Sequence, residues 1–187
     1  MESIKVKDMM VPLESYATVS EDAILADAVL ALEKAQHEYD QKKYKHRAIL
    51  VYDNKGKIVG KLSQFDILKA LEPRYESVRD FRELDDQFGI DAGHIRKLID
   101  ELGLLKNPAL DVCRKAAELK VKNIMHKLSE GEYVQESASL SEAIVQLLVG
   151  HHQSLLVVRG RDIVGIIRLT DVFTKISDMI KACNIKI

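Results

Sequence analysis

Lys5-Val6-Lys7-Asp8-Met9-Met10 returns 115 residues later as Lys120-Val121-Lys122-Asn123-Ile124-Met125. The same offset pairs Val19 with Val134, Glu21 with Glu136, Ala23 with Ala138, Leu25 with Leu140, Ala28 with Ala143 and Leu32 with Leu147. The register then slips by nine residues, absorbed around 36–45. His46-Arg47-Ala48-Ile49-Leu50-Val51 therefore meets His152-Gln153-Ser154-Leu155-Leu156-Val157 at an offset of 106. One more single-residue gap brings Ile58-Val59-Gly60 onto Ile163-Val164-Gly165, and Asp66 onto Asp171. Ordered agreement over roughly 60 positions marks an internal duplication. The copies run over about 5–71 and 120–177.

Each copy has a readable element order. Residues 25–34 put Leu25, Ala28, Val29 and Leu32 on one helical face. The second copy repeats the face with Leu140, Ala143, Ile144, Leu147 and Leu148. It opens on Ser139-Leu140-Ser141-Glu142, a capping box. The runs 48–52 and 155–158 are short, apolar and rich in β-branched residues, which suits buried strands. Asp53-Asn54-Lys55-Gly56 and Arg159-Gly160-Arg161 are turn chemistry, so 57–62 and 162–167 return as hairpin partners. Helices follow at 65–71 and 170–182. Each copy reads β-α-β-β-α. Residues 72–119 belong to neither copy and read as helical. Asp91 caps a helix with Ile95, Leu98, Ile99 and Leu102 on one face and Gly103 as its stop. Asn107-Pro108 starts another, with Leu110, Cys113 and Ala117 at helical spacing and Cys113 expected in the core.

Composition narrows the function classes. Apolar residues make up 47% and charged residues 30%, so a buried core is available. Lys plus Arg is 28 and Asp plus Glu is 29, a net charge of −1, which gives no global pull toward nucleic acid or an anionic membrane. Cys113 and Cys183 are too few for a disulfide framework, or for a zinc cage without histidine help. The first residues contain no apolar secretory region, and no stretch of about 18 apolar residues occurs. A cytoplasmic location is expected. No Walker loop, Gly-x-Ser-x-Gly elbow or His-Glu-x-x-His occurs, and no enzyme is expected.

The doubled β-α-β-β-α order, with a Gly-x-x-Ser/Thr-x-x-Asp pattern at the second helix, resembles the CBS domain pair, or Bateman module. Carrying the likeness are Val6-Lys7-Asp8-Met9-Met10, Ala17-Thr18-Val19, the His46–Val51 run and Gly60-Lys61-Leu62-Ser63-Gln64-Phe65-Asp66. In the second copy they are Val121-Lys122-Asn123-Ile124-Met125, Tyr133-Val134 and Gly165-Ile166-Ile167-Arg168-Leu169-Thr170-Asp171. The resemblance implies an α/β (α+β) fold: two CBS-type units with pseudo-two-fold symmetry. Residues 1–71 would form the first unit, 72–119 a helical insertion, and 120–187 the second unit with its C-terminal helix.

It also implies a regulatory module that senses an adenosyl compound (AMP, ADP, ATP or S-adenosylmethionine) between the copies. No cofactor would be obligatory. By the likeness, Asp66 accepts hydrogen bonds from the ribose hydroxyls, and Ser63 donates to a phosphate near a helix N-terminus. Thr18 and Val19 hold adenine through backbone groups, and His46 and Arg47 meet the phosphates. Tyr133, Val134, His152, Arg168 and Asp171 are the counterparts in the second copy. Arg168 departs from the pattern, standing where Ser or Thr is expected. It either meets a phosphate or fills the site and closes it. A homodimer and a separate, unnamed effector protein are the implied partners, with no nucleic acid and no membrane.

Other readings remain open. Asp66 and Asp171 can serve simply as helix-start residues. The chain can be a ligand-independent homodimeric scaffold. Residues 88–102 have a helix-turn-helix flavour. Yet 72–119 holds eleven acidic and eight basic residues, which disfavours DNA binding. Adjacent His151 and His152 on a strand would point to opposite faces, which disfavours a metal site.

Overall fold

The computed structural model describes residues 3–38, 46–72, 96–97, 100 and 108–183. The helix expected after Asp91, its Gly103 stop and the helix-turn-helix flavour of 88–102 lie almost wholly outside the described residues. The chain runs β1 (Val11–Pro12), β2 (Thr18–Ser20), α1 (Leu25–Glu38), β3 (Ala48–Tyr52), β4 (Ile58–Ser63) and α2 (Gln64–Leu71). Then come α3 (Pro108–Glu118), α4 (Val121–Ile124), β5 (His126–Lys127), β6 (Tyr133–Gln135), α5 (Leu140–Val149), β7 (Ser154–Arg159), β8 (Asp162–Arg168) and α6 (Leu169–Ala182). This is the expected mixed α and β architecture.

The described strands make two four-stranded sheets, in the orders β2-β3-β4-β5 and β1-β8-β7-β6. Within each, the first two strands of a copy pair in parallel (β2 with β3, β6 with β7) across a helix. The next pair is an antiparallel hairpin. The turns are built as their residues require. Asp53 Oδ1 accepts from the amides of Lys55 and Lys57, each at 2.9 Å, and Gly56 takes φ 76°. Gly160 takes φ 63° in the other hairpin.

The fourth strand of each sheet comes from the other copy. β1 pairs antiparallel with β8, and β5 with β4. The exchange extends to the leading segments. Val6 N–H donates to Ala138 O at 3.0 Å, and Val121 N–H donates to Ala23 O at 2.9 Å. Val6 is buried among Val134, Leu140, Leu147, Leu155 and Ile167, all of the second copy. Val121 is buried among Val19, Ala28, Ile49, Val51 and Leu62, all of the first. A third cluster, Val11, Tyr16, Leu50, Ile58, Leu156 and Ile166, joins the two sheets. The repeat in the sequence and the packed unit are therefore offset by one segment.

Three expectations need correction. The buried stripe of α5 is Leu140, Ala143 and Leu147, with Leu148 64% exposed. Successive residues are about 100° apart on a helix, so Leu147 and Leu148 cannot both face one flat sheet. For the same reason Val29 on α1 is left 38% exposed beside the buried Ala28. Cys113 is exposed on α3, not in the core. That helix lies against α1 and α2 at the periphery, and the Lys115 ammonium, two residues on, donates to Leu71 O.

Candidate functional site

Each hairpin delivers its last strand into a helix through a capping box. At the start of α2, Asp66 N–H donates to Ser63 Oγ at 3.2 Å, and Asp66 Oδ2 accepts the Ser63 amide at 2.9 Å and its hydroxyl at 2.6 Å. Ser63 and Asp66 therefore do act as a helix start, the plainer of the two readings, and the carboxylate is held in one orientation by it. At the start of α6 the cap is different. Arg168 folds back and grips Asp171 with Nε to Oδ2 at 2.7 Å and Nη2 to Oδ1 at 2.5 Å. The Arg168 side chain is 7% exposed.

A cavity of about 500 Å³ lies between these two junctions. The first copy lines it with Tyr16, Arg47, Lys61, Ser63, Gln64, Phe65 and Asp66. The second contributes His126, Glu132, the 151–154 turn, Arg168, Leu169 and Thr170. The first residues of α2 and α6 both face it, and the positive ends of the two helix dipoles favour anions there, with the Gln64 amide already given to Arg47 O at 3.0 Å and the Leu169 amide to Gln153 O at 2.9 Å.

A buried ion cluster forms one wall. Glu132 is 1% exposed and pairs with the Lys61 ammonium. It also accepts from the Ser129 amide at 2.8 Å and meets His126 Nε2 at 2.9 Å. Burial pushes its carboxyl up, but Lys61, the Ser129 amide and His126 outweigh that and hold it down at about 2. Register explains the meeting, since Lys61 and His126 are opposite one another in the β4–β5 ladder.

Of the residues singled out from the sequence, Arg47, Ser63, Asp66, His152 and Arg168 come together around this cavity. Asp171 sits behind Arg168, with both oxygens engaged. His46 does not line the cavity. It is fully buried, packs edge-on against Tyr16 with ring centroids 4.3 Å apart, and has Nδ1 3.5 Å from Arg168 Nη1. Desolvation, then the Arg168 charge, lowers its pKa to about 4, with Asp171 opposing. Thr18, Val19, Tyr133 and Val134 do not line the cavity either. Val19 and Val134 fill the two cores, and the Thr18 and Tyr133 backbones pair with Leu50 and Leu156. Lys61, His126 and Glu132 escaped the sequence reading. The only signal for them was a pair of charged residues in runs where the other copy carries Ile166 and Ala17. Among the described residues, no group of three or more His, Cys, Asp or Glu is arranged to hold a metal ion.

The family model for the CBS domain matches residues 6–73 and 121–178. The chain belongs to the CBS domain family. Solved structures agree on the fold. "Crystal structure of CBSX2 in complex with AMP", a protein elsewhere described as from Arabidopsis thaliana, is 19% identical with a TM-score of 0.56, over 95% of this chain and 98% of that one. The CBS domain of a bacterial CNNM/CorC family Mg2+ transporter in complex with ATP is 16% identical, TM-score 0.58, over 94% and 89%. A putative acetoin utilization protein from Vibrio cholerae is 20% identical, TM-score 0.57, over 98% of both chains. No curated protein sequence matches this CBS chain significantly. Among its described residues, no helix is long and apolar enough to cross a membrane.

Proposed function

We propose that this CBS pair is a regulatory module, not a catalyst, that takes an adenosyl nucleotide in the cavity beside Asp66 and passes the change to a separate protein. The observation that carries the reading is the meeting of Ser63, Asp66, Arg47 and His152 around one cavity of about 500 Å³, a volume within the usual range for small-molecule sites. The roles follow from chemistry. Asp66, an acceptor-only carboxylate held by its cap, receives the ribose diol. The Arg47 guanidinium and the positive end of the α2 dipole receive phosphate, joined by Ser63 once its hydroxyl turns away from Asp66. His152 closes the far side. Two structural neighbours described as AMP and ATP complexes support the ligand class. A ligand shifts the module only by as much as it prefers one of its states.

The test is thermal denaturation of the stripped protein against AMP, ADP, ATP, S-adenosylmethionine and NAD. A compound at about 100 times its dissociation constant adds roughly 2.7 kcal/mol, a melting shift of roughly 5–11 °C for this size. The shift is expected to fall to about half or less in Asp66→Ala. A flat panel removes the reading.

A homodimer belongs to the same proposal. Leu68 on α2 and Phe173 and Ile180 on α6 are each more than half exposed, which is costly for a lone chain and ordinary for an interface core. Light scattering should give about twice the 21.1 kDa chain mass. A monomer mass at micromolar concentration removes this part. Residues 72–119, outside the duplication, are then the segment to test for an effector protein.

A further inference from the structure

The duplication sets each half of the inter-copy region beside its mate. Tyr16 corresponds to Gly131 at the offset of 115, and Ser63 to Arg168 at the offset of 105. One half thus carries a glycine and a serine, and the other a tyrosine and an arginine. The two equivalent histidines respond accordingly. His152 stands against Gly131, where an added Cβ would lie 3.5 Å from its Nε2. His46 instead lies against the Tyr16 ring at 4.3 Å, with the Arg168 guanidinium on its Nδ1 side. His46 is 0% exposed and Arg168 6%.

The two equivalent carboxylates differ in the same sense. Asp66 uses Oδ2 for the Ser63 amide and hydroxyl, and among the described residues nothing bonds its Oδ1. Asp171 gives both oxygens to the fork of Arg168. We propose that Arg168, with Tyr16 and His46, is a built-in occupant of the half that mirrors the Asp66 site, so that each chain takes one adenosyl nucleotide, at Asp66, and not two. This rests on the nucleotide reading of the cavity. A ribose diol could reach Asp171 only by displacing a bidentate, charge-assisted pair. It would leave a buried guanidinium without its counter-charge, which is strongly unfavourable. The side chain that blocks one half also lines the cavity of the other, so occupancy is made unequal by a single substitution in an otherwise duplicated frame.

The test is calorimetric titration of AMP into the stripped full chain, its Arg168→Ser variant and a Tyr16→Gly/Arg168→Ser variant. Melting curves run in parallel show that each variant is folded. The wild type should take one AMP per chain, weakened about ten- to hundredfold in Asp66→Ala through loss of hydrogen bonds to a charged group. Opening the plug should raise the count to two, with the second site surviving Asp66→Ala. Two AMP per wild-type chain, or one that survives Asp66→Ala at full affinity, would overturn the proposal without touching the ligand class. So would a count of one in a folded double variant. No binding to any of these proteins would instead overturn the nucleotide reading, and this inference with it.

Discussion

Gly165 lies so close beneath Val11 that a Cβ built on it would stand 2.5 Å from the Val11 carbonyl oxygen. Gly60, its mate in the first copy, is covered the same way by the other exchanged segment. A Cβ there would meet Met125 Sδ at 2.6 Å and His126 O at 2.9 Å. The repeated Ile-Val-Gly is thus the seat for a strand delivered by the opposite copy. Gly165→Ala should cost about 1–3 kcal/mol, since a backbone carbonyl must move. Gly60→Ala should cost less, because a flexible thioether can yield part of the space. Urea denaturation reads both directly. A Gly165→Ala protein as stable as wild type would mean that β1 is not held against β8.

Glu132 and Lys61 make the next test. Glu132→Gln leaves a Lys61 ammonium that is 16% exposed without its counter-charge. Breaking a buried pair from one side costs about 3–5 kcal/mol, roughly 6–20 °C in melting temperature at 2–4 °C per kcal/mol for this size. The other copy supplies the control, since it places Ala17 and Ile166 at the equivalent positions, both buried. Glu132→Ala with Lys61→Ile should therefore recover most of the loss, as apolar replacement of a buried pair often does. A double variant as unstable as Glu132→Gln would show that the pair is needed for more than mutual neutralisation.

The duplication made the frame legible. The strand read at 48–52 is β3 to the residue, and the Ser139–Glu142 capping box is made as its spacing requires. The singularity of Arg168 was legible too, because a repeat supplies its own reference. What the sequence left open was which copy each leading segment packs on. Val6 and Val121 ask to be buried, but one apolar side chain does not name its host. β1 and β5, at two residues each, are shorter than any alternation can report. The Glu132 cluster was hidden for a similar reason, since Lys61 and Glu132 are distant in sequence and meet only because β5 crosses over. His46 looked like a phosphate ligand by position beside Arg47. In an extended run, adjacent residues face opposite ways, so Arg47 reaches the cavity and His46 turns inward.

That inward turn has a pH signature. His46 is held at about 4 by burial and by the Arg168 charge, against an ordinary 6.5. Between those values the unfolded chain takes up a proton at this site and the folded chain does not. Stability therefore rises with pH across that window. It is complete above about 6.5 and lost progressively as pH falls toward 4. Glu132 acts in the same direction but lower, between its ordinary 4.5 and about 2, so the two windows barely overlap. Melting temperature measured from pH 7 to pH 4 should fall for the wild type. His46→Gln removes the titrating group while keeping a polar side chain in reach of Arg168. Its curve should be shallower between pH 6.5 and 4.5, and parallel to wild type below. Coincident slopes for the two proteins throughout the upper window would place the His46 ring in water, contrary to its enclosure by Tyr16 and Arg168.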